Sequence, residues 1–76
     1  MQRKRLTIAI DGQKLMELRA SRFLTQREFG ELVGLSEGRV RGLENGRGSR
    51  VYASTFRRLA KALGMELEAF NELLTR

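Results

Sequence analysis

Leu6, Ile8 and Ile10 alternate with Thr7 and Ala9, the two-residue period of a strand, and Asp11-Gly12 ends the run with turn chemistry and an N-cap carboxylate. From Gln13 the period lengthens. Leu15 and Leu18 share a face with Met16 and Phe23 beside it, which predicts a helix stopping around Phe23. Thr25-Gln26-Arg27-Glu28 is a capping box, and Phe29, Leu32 and Val33 follow at i, i+3 and i+4. This predicts a second, two-turn helix with one buried stripe, ended by Gly34, which has no Cβ to strain the turn. Ser36 caps a third helix whose inward side carries Val40 and Leu43 and whose end is Asn45-Gly46. Residues 47–53 read as a loop. Ser54 or Thr55 then caps a fourth helix with Phe56, Leu59, Ala60 and Leu63 on one face, Gly64 ends it, and Leu67, Phe70 and Leu74 make a last amphipathic helix. The expected fold is all-α: five compact helices in residues 11–76, with residues 1–10 as a basic arm or a short dimerisation strand.

Composition narrows what such a domain can do. The chain has 76 residues, too few for more than one domain, and no His or Cys, which removes imidazole bases, thiol nucleophiles, the commonest metal ligands and disulfides. An enzyme is not expected, nor a cofactor. The longest apolar run, Leu6 to Ile10, is too short for a membrane span or a signal-peptide core, so the expected location is cytoplasmic. Fifteen Lys and Arg against nine Asp and Glu give a net charge of +6, which favours polyanionic partners, nucleic acid before anionic membrane. The charge is uneven. Seven basic residues (Arg39, Arg41, Arg47, Arg50, Arg57, Arg58, Lys61) and two acids lie between Ser36 and Lys61, while Glu66, Glu68 and Glu72 face only Arg76 in the last stretch.

The two short helices around Gly34 carry the signature of a helix-turn-helix. Phe29, Val33, Leu35, Val40 and Leu43 supply its apolar lock, and Gly30 sits where the second helix presses on the third, a place for Gly or Ala. Leu24-Thr25-Gln26, Phe29-Gly30, Val33-Gly34-Leu35-Ser36, Val40 and Leu43-Glu44-Asn45-Gly46 resemble the Cro/C1-type, phage-repressor-like family nearly position by position, and the likeness runs on through Leu59–Gly64. It covers roughly Gln13 to Leu74. The resemblance implies a five-helix domain that binds double-stranded DNA operators as a symmetric homodimer. It also implies a structural ion pair between Arg19 and Glu44 and a phosphate contact by Gln26. Gly30 stands where the family usually has Ala, and Gly38 and Gly42 are unusual in a recognition helix.

On a helical wheel Gly38, Arg41, Gly42 and Asn45 lie opposite Val40 and Leu43, with Glu37 at the edge, so this is the side to enter the major groove. Arg41 suits a guanine O6/N7 edge, Glu37 a cytosine amino group, and Asn45 a base or phosphate. Arg39, nearer the flank, suits phosphate or a surface pair with Glu37 or Glu31. The start of the second helix, with Ser36 at the start of the third, brings amides, Gln26 and Arg27 to the backbone, and Arg47, Arg50 and the region of Arg57 add phosphate contacts on the far side. Two functions fit: a regulator without an effector domain or ligand pocket, or an antitoxin that also binds a toxin protein. For assembly, the strand at Leu6, Ile8 and Ile10 finds no sheet among five helices, which predicts antiparallel pairing with a second copy.

Overall fold

In the computed structural model, residues 6–46 and 50–65 are described. In chain order they form β1 (Thr7–Ala9), α1 (Gly12–Ser21), α2 (Gln26–Val33), α3 (Glu37–Glu44), β2 (Arg50–Tyr52) and α4 (Ala53–Ala62). The fifth helix expected around Leu67, Phe70 and Leu74 lies outside the described residues, as do Met1–Arg5 and Arg47–Ser49. Among the described residues the fold is thus mostly helical, with four helices and a short two-stranded sheet that the all-α expectation did not include beyond its one N-terminal strand.

That sheet corrects two expectations. β1 pairs antiparallel with β2 of the same chain, in the register Thr7↔Tyr52, Ile8↔Val51 and Ala9↔Arg50. The stretch read as a loop thus holds a strand, and the premise that nothing in the chain receives β1 is replaced by an in-chain ladder. Three residues with one buried position, Val51, are too few to show a period of two. Nor do the three apolar residues of the N-terminal run share one buried face: Ile10 is buried and Ile8 packs on the core, but Leu6 is 74% exposed.

The core is one cluster in which Ile10, Leu15, Phe29, Val33, Val40, Leu43, Val51, Phe56, Leu59 and Leu63 are buried together. Helix starts follow the caps. Asp11 accepts from the Lys14 amide and Ser36 from the Arg39 amide, while Thr25 and Glu28 complete the reciprocal box. α4 departs from this pattern. It starts at Ala53 without a side-chain cap, because β2 runs straight into it and the Ala53 amide donates to the Leu6 carbonyl at 3.1 Å. Ser54 and Thr55 are not its cap.

Packing also rotates the buried stripe of α2. Phe29, Gly30 and Val33 are buried and Leu32 is 60% exposed, so the face turned inward is centred towards Gly30 rather than Leu32. A Cβ on Gly30 would stand 2.4 Å from the Leu35 carbonyl oxygen and 3.4 Å from Val40 Cγ2. The obstruction is chiefly the turn's own backbone, so even alanine needs the turn to move. Gly34, at φ +74°, ends α2 in the left-handed region, and Leu35 donates to the Gly30 carbonyl at 2.8 Å. Met16 and Phe23, expected beside the core, are exposed.

Candidate nucleic-acid interface

The third helix is held by a polar network at its C-terminal end. Arg19 Nε donates to Glu44 Oε2 at 2.6 Å and Nη2 to Glu44 Oε1 at 3.1 Å, a bidentate pair, while Nη1 donates to the Leu24 carbonyl at 2.6 Å. The Arg19 and Glu44 side chains are only 14% and 1% exposed. The hydrogen bond to Glu44 holds the guanidinium pKa above its ordinary value, the attraction of the carboxylate adding to it and desolvation opposing both. Gln26 Nε2 donates to the same Glu44 at 3.0 Å. One carboxylate thereby ties α1, the start of α2 and the end of α3 together. Close packing reinforces the joint, since a Cβ on Gly12 would lie 2.2 Å from the Leu43 carbonyl oxygen.

With Val40, Leu43 and Glu44 buried, α3 turns Glu37, Gly38, Arg41 and Asn45 to the exterior, and Gly42 is half-buried. Arg41 Nη2 meets Glu37 Oε2 at 3.3 Å, an exposed i, i+4 pair. A Cβ at Gly38 would meet nothing within 4 Å, so the surface there is open to close approach. Arg39 lies on the opposite flank from Arg41, with Nη2 donating to the Arg50 carbonyl at 3.3 Å. Ser36, expected on the same surface, uses its hydroxyl as the cap of α3.

The remaining site residues are distributed around this face. Arg27 is exposed and 3.8 Å from Glu31. At the start of α2 the Thr25 hydroxyl takes the Glu28 amide, which leaves the Gln26 and Arg27 amides without intrahelical acceptors. The Gln26 side-chain amide gives one of its two N–H donors to Glu44 and keeps the other beside these backbone amides. Arg50 is built into the ribbon, with Nε on Thr7 Oγ1 at 3.0 Å and Nη2 on the Thr7 carbonyl at 3.2 Å. Arg57 is exposed on α4, and Arg47 lies outside the described residues.

Sequence reasoning missed one grouping. An open cleft of about 330 Å³ brings Thr7, Arg50 and Tyr52 of the ribbon together with Arg39 and Thr55, against Leu35 and Val51, where no ligand pocket is expected from the sequence. Polar-apolar-polar order at Arg50-Val51-Tyr52 is its one trace in the sequence. No helix among the described residues is long and apolar enough to cross a membrane.

Two short helices locked across a glycine turn, the second presenting an open basic-flanked face, define a helix-turn-helix domain. The family model of the helix-turn-helix domain matches residues 12–73, and the chain belongs to this family, in its Cro/C1-type branch. Among solved structures it is similar to the restriction-modification controller protein C.AhdI from Aeromonas hydrophila. That likeness has 36% identity over 78% of this chain and 88% of the other, with a TM-score of 0.70. It is also similar to the clp gene regulator ClgR from C. glutamicum, with 30% identity over 79% and 77% of the two chains and a TM-score of 0.68. No curated protein gives a significant match.

Proposed function

We propose that this protein is a sequence-specific double-stranded-DNA-binding transcriptional regulator that acts as a homodimer and places α3 in the major groove. The observation that carries the reading is the way α3 is mounted. Its inner side is buried and its C-terminal end is clamped by the Arg19–Glu44–Gln26 network, while its outer side holds Glu37, Gly38, Arg41 and Asn45 clear of the domain. A rigidly seated helix with an open face is what groove readout requires. Both similar structures are of proteins named as a controller or gene regulator, which supports the same reading. No observation favours the antitoxin alternative.

In this reading Arg41 donates to a guanine edge, with Glu37 orienting it or accepting from cytosine, and Asn45 contacts a base or phosphate. Gly38 lets the helix backbone approach the groove floor. The amides opening α2, with Arg27, Arg39, Arg47 and Arg50, address phosphates and set register. Two copies related by a two-fold axis would present their recognition helices to half-sites about 34 Å apart.

Selection from random duplex DNA tests this directly. The expected result is an enriched palindrome whose binding weakens steeply with salt, and Arg41→Ala lowering discrimination at one base pair by about 1–3 kcal/mol. Binding with no sequence enrichment, or equal losses on selected and random duplexes for Arg41→Ala, would overturn sequence-specific reading.

A further inference from the structure

Leu32 is an apolar residue of α2 that the core leaves out. It is 60% exposed, while Phe29 and Val33 of the same helix are buried. It stands on the flank of α2 away from Arg27, the flank turned to α4, and forms a ridge between two shallow grooves. One groove, of about 440 Å³, is lined by Leu24, Glu28, Glu31 and Leu32. The other, of about 400 Å³, is lined by Leu32, Arg58, Lys61 and Ala62. A single exposed leucine needs no explanation, but this one has a half-buried apolar neighbour in each groove, Leu24 in the first and Ala62 in the second. The charges around it are also sorted by sign, both acids in the first groove and both bases in the second.

Those charges do not serve each other within the chain. Arg58 and Lys61 make no ion pair among the described residues. Glu28 gives one oxygen to the Thr25 amide, and Glu31 lies 3.8 Å from exposed Arg27. A partner of one sign would therefore meet like charge in one groove whichever way it lay. A surface with the same two signs in the opposite order fits both grooves at once, and the chain carries such a surface itself. A half-turn about an axis lying along the ridge in the plane of contact exchanges the two grooves. Leu32 of one copy then meets Leu32 of the other, and Glu28 and Glu31 of each copy face Arg58 and Lys61 of its mate. Charge over the whole molecule points to the same place. Two chains of net charge +6 repel each other, whereas the four charges around Leu32 cancel, so copies meet here without adding to that repulsion.

We propose that this α2–α4 face is a self-association surface, on which a second copy of the chain docks about a two-fold axis with Leu32 at its centre. The proposal rests on the homodimer reading and gives that pairing a surface. No residue of α3 lines either groove, and the carboxylates of Glu28 and Glu31 do not attract a polyanion, so copies paired here keep the outer face of α3 open.

Sedimentation equilibrium of the full chain without DNA tests this, at about 0.15 M salt so that distant charges are screened. Leu32→Gln replaces the apolar ridge with a polar side chain that suits an exposed helix, and should raise the dissociation constant between copies about tenfold. Glu31→Lys and Lys61→Glu, whose side chains are exposed, should each weaken self-association about three- to tenfold, with thermal melts showing that the variants fold. An equimolar mixture of Glu31→Lys and Lys61→Glu chains should pair more tightly than either chain alone, because each then offers the sign that the other lacks. Variants that associate like the natural chain, or a mixture no tighter than its components, overturn this surface and leave the homodimer to another face. A natural chain that stays monomeric up to about 1 mM overturns the surface and the homodimer together, and leaves this face to a different protein.

Discussion

Phe23 has φ +58°, in the left-handed region that suits glycine, and its ring is 94% exposed. It occupies the αL position of a Schellman closure of α1: its amide donates to the Ala20 carbonyl at 2.9 Å and that of Leu24 to the Arg19 carbonyl at 3.4 Å. A side chain in this conformation costs about 1–2 kcal/mol, and an exposed ring returns little of it through packing. Phe23→Gly should therefore stabilise the domain by about 0.5–1 kcal/mol after the extra unfolded-chain freedom of glycine is subtracted, raising Tm by a few degrees. A lower Tm would show that the ring packs in solution. Glu44 lies at the other extreme. Glu44→Gln keeps the shape but sets a neutral amide against a nearly buried guanidinium, and should cost about 3 kcal/mol. An unchanged melting temperature would contradict the clamp on α3.

At the scale of elements, α2 shows how a cap couples to pH. Glu28 Oε1 accepts from the Thr25 amide at 2.9 Å while Thr25 Oγ1 accepts from the Glu28 amide at 3.0 Å. The backbone hydrogen bond first, and the threonine hydroxyl second, hold the Glu28 carboxyl below its ordinary range. A group depressed on folding contributes stability above its unfolded pKa and loses it as pH falls through the folded value. The start of α2 should thus be best ordered at neutral pH and fray on acidification below the ordinary carboxylate range. Carbon NMR titration of Glu28 should give a midpoint below that of the same residue in an unfolded peptide; a midpoint at the peptide value would mean that the box is open in solution. Since the start of α2 also offers the Gln26 and Arg27 amides, this capping keeps in shape the surface proposed above to meet phosphates.

For the whole molecule, the ribbon decides whether the N-terminal run acts inside one chain or between two. β1 supplies the pairing for Val51 and both partners of the Arg50 side chain, and Leu6 just before it supplies the acceptor for the Ala53 amide. Removing residues 1–9 spares Ile10 and the Asp11 cap. It should still lower stability by about 2 kcal/mol, from partial burial of Ile8 and the lost hydrogen bonds. Because the ladder lies within the chain, that loss should be the same across a tenfold range of protein concentration in thermal melts. A loss that grew on dilution would assign the strand to an interface between copies.

Much of the domain is local chemistry and is legible as such. The capping box at Thr25–Glu28, the caps at Asp11 and Ser36, Gly34 in the turn, and the apolar faces of α3 and α4 each follow from side chains within one or two turns of one another. The Arg19–Glu44 pair joins residues 25 positions apart and is readable in the sequence only through the family resemblance. Tertiary structure decided the rest. Thr7 and Tyr52 become neighbours only when the chain closes on itself, so β2, the route of β1, the uncapped start of α4 and the cleft they build leave little local trace. The face of α2 turned inward, and the obstruction at Gly30, were set by how closely the Leu35 carbonyl comes back over the helix. Local preferences select elements over a few residues, whereas hydrogen-bond partners far apart in sequence are chosen by which backbone groups the packed core leaves unpaired.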